Sequence, residues 1–395
     1  MRTIGVVTGA RSDYGLLVPV LRAISADSML RLQLFVTGMH LSPDFGLTVR
    51  EVERDFEITE RVEMLVASDT PEAISKSVGL GVIGFAQTYT RHRPDILLVL
   101  GDRFETLAAV AAALPFTIPV AHISGGEATE GAIDDAIRHS ITKMSHLHFV
   151  AMEEYRRRVI QMGEEPWRVT VSGEPGLDHV TAVPQLSLAK LEAQIGMTLE
   201  PAPLLVTFHP ATLELGQTEM QTTELLAALD TVGISVVFTA PNADTEGRII
   251  AARIQDFVAH HPNSRYVANL GTTAYLSMMH HCAAMVGNSS SGIVEAASFQ
   301  LPVVDVGSRQ RGRIHAANVI HSELKAEAVV RAIRLALSPD FRQALEGLRN
   351  PYGDGKAAHR IVQVLKTVPL DRHLLVKTFH TVGQVSSYEE VDVAR

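Results

Sequence analysis

The chain has 395 residues, of which 46% are hydrophobic and 20% are charged, a balance that excludes a disordered or fibrous protein. Its formal net charge of -9 argues against a general binder of nucleic acid or of membrane surfaces, although clustered arginines can still bind a small anion. The single cysteine, Cys282, allows no intrachain disulfide. We find no signal-peptide pattern and no apolar run of membrane-spanning length, so we expect a cytoplasmic protein without a membrane partner.

Short apolar segments alternate with helical patterns over residues 1 to about 175. The predicted strands are IGVVTG, LQLFVTG, ILLVLGD, IPVAHISGG and LHFVA. The predicted helices between them include YGLLVPVLRAIS, EAISKSVGLGVIGFAQTYTRHR and FETLAAVAAAL. Because these strands are apolar without alternation, the pattern indicates a parallel sheet that helices cover on both faces.

A segment rich in glycine, proline and polar residues, SGEPGLDHVTAVPQLS, resembles a linker, and the alternation restarts after it. The second series of predicted strands is PLLVTFHP, ISVVFTAPNAD, RYVANLG, AAMVGNSSSG and LPVVDVG, with helices around 219–231 and 246–260. We therefore predict an α/β protein with two doubly wound Rossmann-like domains that face each other across a cleft. The expected domains are 1–175 and 176–367, with a last helix that could pack back on the first domain, and a tail, 368–395, without an assigned role.

The stretch GNSSSGIVE, residues 287–295, follows a predicted strand and begins a predicted helix. Backbone N–H groups, serine hydroxyls and the helix N-terminus together form a favourable site for a phosphate. The alternative is an ordinary helix N-cap with spare serines. Farther along the helix, Glu295 could accept hydrogen bonds from the two hydroxyls of a ribose.

Arginine and histidine residues follow other predicted strands and could also bind a diphosphate. Arg11 in TGARSDYG could bind phosphate or could form a surface ion pair with Asp13. Arg309 in SRQRGR lies at a strand's carboxyl end, although charge runs are usually solvated. His209 in TFHP could contact a diphosphate or transfer protons, or it could be a structural core histidine. The remaining histidines show no metal-binding spacing, so we expect neither a metal nor another cofactor.

Several acidic residues are candidates for acid–base chemistry. Asp102 ends a very apolar strand and precedes Arg103, and its alternative role is to cap the following helix. The loop HISGGEATEGAIDD offers Glu127 and Asp134, the latter spaced to pair with Arg138. Because carboxylates repel a diphosphate, they should contact the uncharged part of a ligand, where they can act as general acid or base. Two further polar residues, Asn242 and Asp244, lie at the end of the predicted strand ISVVFTAPNAD. We expect them at the same cleft.

These motifs resemble, in order and to about residue 367, the hydrolysing UDP-N-acetylglucosamine 2-epimerases of sialic-acid biosynthesis. The resemblance rests on TGARSDYG, GMHLSPDFG, SDTPEAISKSVGLGVIGF, GDRFETLAA, HISGGEATEGAIDDAIRHSITKMSHLHFV, TFHP, PNADTEGRI and GNSSSGIVEAASFQLPVVDVGSRQRGR. It implies a glycosyltransferase-B-like fold, no metal or redox cofactor, and a homodimer or homotetramer. It also implies anti elimination of UDP to a 2-acetamidoglucal and hydration of that intermediate to N-acetylmannosamine.

The resemblance assigns a role to most of the candidate residues. It implies catalytic roles for Asp102, Asp134 and His209, and phosphate binding, ribose binding or ligand contact for Arg11, Ser289, Ser290, Glu295 and Arg309. Some members of the family carry a catalytic Glu where this chain has Ser124, so either Glu127 takes over its work or the proton transfers are divided differently.

Three alternatives to UDP-N-acetylglucosamine epimerisation remain open at this point. The first is the same reaction on a UDP-2,4-diacetamido-6-deoxy sugar or on GDP-N-acetylglucosamine. The second is glycosyl transfer on the same architecture, and the third is a sensor that binds a nucleotide sugar without catalysis.

Overall fold

The computed structural model describes residues 1–68, 70–128, 133–210, 214, 216–241, 246–268 and 270–383. The chain divides into two compact units. Unit 1 contains the described residues of Met1–Glu127, Ile133–Pro175 and Lys356–Arg395, and unit 2 contains those of Ala128–Ala132 and Gly176–Gly355.

Each unit is built on one parallel sheet. The strands are, in chain order, β1 (Arg2–Thr8), β2 (Leu30–Thr37), β3 (Glu60–Val62), β4 (Ile96–Leu100), β5 (Val120–Ile123), β6 (Leu147–Val150), β7 (Val169–Val171), β8 (Leu204–Thr207), β9 (Val236–Thr239), β10 (Ser264–Val267), β11 (Ala284–Gly287), β12 (Val303–Val306) and β13 (Val319–Ser322). In unit 1 the order is β3-β2-β1-β4-β5-β6-β7, and in unit 2 it is β10-β9-β8-β11-β12-β13. Each order reverses direction once, between β1 and β4 and between β8 and β11. Ligands bind at such a reversal in doubly wound sheets.

Helices connect successive strands and cover the sheets. They are α1 (Arg11–Ala26), α2 (Val49–Asp55), α3 (Pro71–Arg91), α4 (Phe104–Ala113), α5 (Ile133–Met144), α6 (Glu153–Gln161), α7 (Asp178–Ala182), α8 (Leu188–Ile195), α9 (Thr218–Val232), α10 (Gly247–His260), α11 (Gly271–His281), α12 (Ser290–Val294), α13 (Ala326–Ala336), α14 (Pro339–Ala344), α15 (Ala357–Thr367) and α16 (Arg372–Leu375). The predicted α/β class with two doubly wound domains is confirmed. None of the described helices combines the length and apolar character that a membrane span requires.

Helix α15 belongs to unit 1, in agreement with the expectation that the last helix of the segment 176–367 could pack back on the first domain. Its apolar stripe, which includes Ile361 and Leu365, is fully buried in the same core as Leu17 and Leu21 of α1. Unit 2 itself ends at Gly355, before this helix. The apolar stripe forced this helix into a core, but its sequence did not specify which of the two cores.

The segment after α15 is also attached to unit 1. Arg168, which is fully buried, donates hydrogen bonds to the backbone oxygens of His373, Leu374 and Val376 at 2.9, 2.8 and 3.0 Å. A buried guanidinium thus satisfies carbonyls that the short helix α16 leaves free. Of the tail predicted without a role, residues 384–395 lie outside the described part of the chain.

We expect Leu365→Ala to lower the free energy of unfolding by about 2–5 kcal/mol, because the lost side chain leaves a cavity in the core of unit 1. Leu370→Ala, at a position that is 43% exposed, is the control and should change it by less than about 0.5 kcal/mol. Urea unfolding of both variants measures the difference. Equal stabilities would contradict the placement of α15 in this core.

Candidate active site

The serine loop of unit 2, residues 287–291, is held against the end of β8. Asn288 N donates to the carbonyl oxygen of Thr207 at 3.1 Å. Gly287 has φ of 135°, and a Cβ there would lie 2.0 Å from the same oxygen, so this position requires glycine. Ser289 caps α12, since its side chain accepts a hydrogen bond from Ser291 N at 3.3 Å. The capping alternative is therefore correct for Ser289, and it leaves Ser290 exposed at the first helical position.

Asn288 joins the serine loop to the predicted histidine. Its Oδ1 accepts from His209 N at 2.7 Å, and its Nδ2 donates to His209 O at 2.8 Å. The Asn288 side chain is buried, so this pair of bonds fixes the end of β8 against the end of β11. The sequence analysis missed Asn288, and the available signal was an amide residue between a strand-ending glycine and the serines.

Arg309 also contacts Asn288, the residue that joins the serine loop to His209. Its Nη1 donates to Asn288 O at 3.1 Å, next to Gln310 Nε2, which donates to the same oxygen at 2.9 Å. Burial, together with the charge of Arg309, lowers the pKa of His209 to about 3, so the imidazole is neutral near neutral pH. His209 and Arg309 are thus both hydrogen-bonded to Asn288, the neighbour of Ser289 in the chain, and the role of these residues in binding phosphate stays a prediction.

Glu295 directly follows α12, and its carboxyl group is buried and has a raised pKa. Its Oε2 is buried and has no hydrogen-bond partner among the described residues. Burial raises the pKa of Glu295 to about 7, while its backbone hydrogen bond, the charge of Arg313 and a hydrogen bond from Ser291 act in the opposite direction. A buried acceptor without a donor is costly, and it is explained most simply by a donor that arrives with a ligand.

The first loop of unit 1 differs from its prediction. The carboxylate of Asp13 accepts hydrogen bonds from Gly9 N and Ala10 N, each at 2.8 Å, so it occupies the amides that could have bound a phosphate. Arg11 therefore does not pair with Asp13, and that alternative is wrong. Arg11 lies 3.6 Å from Glu51 instead, with both side chains partly exposed.

Asp102 is held by a buried cation. Arg138 of α5, which is 5% exposed, forms an ion pair with Asp102 at the end of β4. The helical spacing suggested a pair between Arg138 and Asp134. Arg138 pairs instead with Asp102, which is distant in sequence. The capping alternative for Asp102 is also wrong, since Arg103 occupies the N-cap position of α4.

Asp134 lies within electrostatic reach of Asp102. Burial raises the pKa of Asp134, and the negative charge of Asp102 raises it further. The next carboxylate on the helix, Asp135, pairs with His139 at 3.5 Å, as its spacing predicted. Glu127 is buried in the loop before α5.

Arg103 points to a second buried acid, Glu105. Its Nε and Nη2 contact the two carboxylate oxygens at 3.1 and 2.7 Å. Because Glu105 is fully buried and accepts two hydrogen bonds from Arg103, this pair fixes the start of α4.

Another acid that the sequence analysis missed lies in the predicted linker. Ser124 Oγ donates to Glu174 Oε2 at 3.2 Å, and Glu174 is buried. The only signal in the sequence was an acid between glycine and proline, and the strand that precedes it, β7, was not predicted. The other two candidates, Asn242 and Asp244, lie outside the described residues. Within the described ranges, no group of three or more His, Cys, Asp or Glu side chains is arranged to hold a metal ion.

Comparison with known proteins yields consistent matches. The family model described as UDP-N-acetylglucosamine 2-epimerase matches residues 22–366. The hydrolysing GDP/UDP-N,N'-diacetylbacillosamine 2-epimerase of Campylobacter jejuni is 39% identical over 96% of this chain and 98% of its own. The hydrolysing UDP-N,N'-diacetylbacillosamine 2-epimerase of Legionella pneumophila is 36% identical over 95% and 99%.

A solved structure supports the same conclusion for the fold. The structure of UDP-GlcNAc 2-epimerase from Neisseria meningitidis bound to UDP-GlcNAc aligns with a TM-score of 0.79 and 18% identity, over 92% of this chain and 99% of that one. The family match covers most of the chain, and the two bacterial relatives align almost end to end. The chain therefore belongs to the UDP-N-acetylglucosamine 2-epimerase family, among its hydrolysing members.

Proposed function

We propose that the protein hydrolyses a nucleoside-diphosphate-linked 2-acetamido sugar and inverts its C2 centre, releasing the free 2-epimer and the nucleoside diphosphate. The observation that carries this proposal is the coupling of two carboxylates in unit 1. Asp102 is paired with Arg138, whereas burial and the charge of Asp102 raise the pKa of Asp134. Two neighbouring carboxyl groups, one held by a cation and one whose pKa is raised, are suited to opposite proton transfers.

Departure of the diphosphate would start the reaction, because no carbonyl acidifies the C2 proton of the sugar. As the C1–O bond breaks, negative charge develops on the diphosphate. His209, Ser289, Ser290 and Arg309 would stabilise this charge, with His209 as a neutral hydrogen-bond donor, since its pKa is about 3 in the free protein. Arg11 could join them only by leaving Glu51.

Asp102 would then remove the C2 proton, which gives a 2-acetamidoglucal. Inversion at C2 requires that a proton return to the opposite face of the sugar ring, so a second acid is needed. Asp134 is suited to that step because its raised pKa favours the protonated form. A water molecule would add its hydroxyl to C1 and give its remaining proton to a carboxylate, either Asp134, which has just lost a proton to C2, or Glu127, which is also a candidate for orienting the water.

Glu295 would bind the ribose. Its partnerless Oε2 could accept a hydrogen bond from a ribose hydroxyl, and ionisation of the carboxyl group would let both oxygens accept. Arg103, Asn242 and Asp244 remain proposed substrate contacts from the sequence.

The sugar is proposed to be a 2,4-diacetamido-2,4,6-trideoxyglucose linked to UDP or GDP. Support comes from the names of the two bacterial relatives, which are diacetylbacillosamine 2-epimerases. The second candidate is UDP-N-acetylglucosamine, with N-acetylmannosamine for sialic-acid-type synthesis as its product, and the description of the matching family supports it.

Incubation with each nucleotide sugar in deuterated water tests the reaction. We expect free 2-epimer that carries one deuterium at C2, because the proton returned to C2 comes from solvent-exchanged groups. Mass spectrometry and NMR measure this label. Product with its original C2 hydrogen, or transfer to an added acceptor, would contradict the proposal, and binding without turnover of any nucleotide sugar would favour a sensor.

Asp102→Asn should reduce kcat by at least about 10²–10⁴-fold, since it removes the proposed base. Affinity for the free nucleoside diphosphate should stay within about twofold, because the proposed phosphate ligands belong to the other unit. Asp135→Asn is the matched control, since Asp135 is the next carboxylate on the same helix and pairs with His139, and it should leave both quantities unchanged. Near-normal turnover in Asp102→Asn would show that Asp102 is not the base.

Binding of the nucleotide sugar should depend on pH through Glu295. Since burial raises the pKa of Glu295 to about 7, the free site must lose a proton to bind ribose below that pH. Affinity should therefore rise by up to about tenfold per pH unit below about pH 7 and level off above it. Calorimetry with the Asp102→Asn variant measures this affinity without turnover. The phosphates of the nucleotide sugar do not contribute to the profile, because both are esterified and do not titrate in this pH range.

Glu295→Gln should flatten this pH profile, and the exposed Glu346→Gln should preserve it. An unchanged profile in Glu295→Gln would exclude Glu295 as the titrating group.

A further inference from the structure

A cavity of about 660 Å³ in unit 1 is not used by the residues assigned so far. It lies between the loop after β2, the loop after β3 and the start of α4. Its apolar walls include Met39, Leu41, Phe45, Met64, Val66 and Phe104. A pocket of this size and lining is suited to a small ligand group that is largely apolar.

The cavity adjoins the proposed catalytic residues. Phe104 begins α4 and directly follows Arg103 in sequence. The next residue, Glu105, binds Arg103 and also fills the space beside Gly38, where a Cβ would lie 2.6 Å from Glu105 Oε1. One wall of the cavity is therefore continuous with the Arg103–Glu105 pair at the start of α4.

The charges at the cavity exclude the phosphate end of the substrate. Among its described lining residues no Lys or Arg occurs, and the two charged ones are Asp44 and Glu63, both exposed. Carboxylates repel a diphosphate. The cavity is thus suited to the uncharged end of a nucleotide sugar.

We propose that this cavity binds the C4 and C6 substituents of the sugar and prefers a 4-acetamido group and a C6 methyl group to hydroxyls. The proposal rests on the proposed function, whose reaction places the sugar ring beside Asp102. Methyl groups gain free energy when they leave water for apolar walls. A sugar hydroxyl set against those apolar walls would lose hydrogen bonds to water that the walls cannot replace. An acetamido group can instead turn its methyl group to the walls and its amide to polar lining residues such as Ser42 and Glu63.

Phe45→Ala tests the preference, because Phe45 is 43% exposed and its removal leaves the core intact. Three substrates are compared: UDP-linked 2,4-diacetamido-2,4,6-trideoxyglucose, UDP-N-acetyl-6-deoxyglucosamine and UDP-N-acetylglucosamine. We expect kcat/KM to fall at least about tenfold for the first, less for the second and less than about twofold for the third. Phe379→Ala is the matched control, since Phe379 is 73% exposed in the same unit, and it should change none of them.

Val66→Thr provides a second variant of nearly the same shape. The added hydroxyl should shift the kcat/KM ratio toward UDP-N-acetylglucosamine, since it offers a hydrogen-bond partner to a polar substituent. An equal loss for all three substrates in Phe45→Ala, or no loss for any, would overturn the proposal for the cavity while leaving the epimerase intact.

Calorimetry separates failure of the cavity from failure of the reaction. If no nucleotide sugar yields a 2-epimer with wild-type protein, the proposed function fails, and dissociation constants for the three compounds then test the cavity. Tighter binding of the diacetamido compound that Phe45→Ala selectively weakens supports the cavity, and equal affinities overturn it.

Discussion

The ion pair between Arg138 and Asp102 links the chemistry of unit 1 to its fold. An almost fully buried guanidinium is costly without a partner, so Arg138 fixes the end of β4 to α5. Asp134 lies one turn earlier on the same helix. The pair therefore holds the Asp102 carboxylate in place. Burial is the main cause that raises the pKa of Asp134, and the charge of Asp102 raises it further, whereas the charge of Arg138 lowers it.

Unit 2 carries neutral hydrogen-bond donors and a positively charged residue, Arg309, that is held by a hydrogen bond, whereas unit 1 carries acidic residues. Asn288 ties His209 to the serine loop, and its carbonyl oxygen accepts from Arg309. The loop geometry depends on Gly287, which no other residue can replace without a collision with Thr207. Donors that are fixed before the substrate arrives need little rearrangement as charge develops on a leaving group. The Oε2 atom of Glu295, which has no hydrogen-bond partner among the described residues, is consistent with the same view.

Much of the fold could be predicted from the sequence because strands such as ILLVL and AMVG are apolar on both faces, which only a covered parallel sheet explains. The strands β3, β7 and β13 were missed because they have three or four residues and carry polar side chains. The stripe of α15 predicted a buried helix but contained no information about which unit would bury it.

The site residues show the same limit. Local spacing suggested that Arg138 pairs with Asp134, but Asp102, far away in sequence, became its partner through the sheet. Asp13 was read as a partner for Arg11 and instead accepts hydrogen bonds from backbone amides of its own loop. The strand ends indicated where a ligand should bind and which groups could bind phosphate or transfer protons, and the family resemblance then implied a specific role for most of these residues.

The division of labour between Asp102 and Asp134 is tested most directly by following the two halves of the reaction separately. Asp134→Asn should still release nucleoside diphosphate and should accumulate the 2-acetamidoglucal, because elimination needs only the base and hydration needs the acid. Asp102→Asn should release neither product. If Asp134→Asn binds the nucleotide sugar but loses elimination as completely as Asp102→Asn, the two carboxylates do not divide the proton transfers in this way.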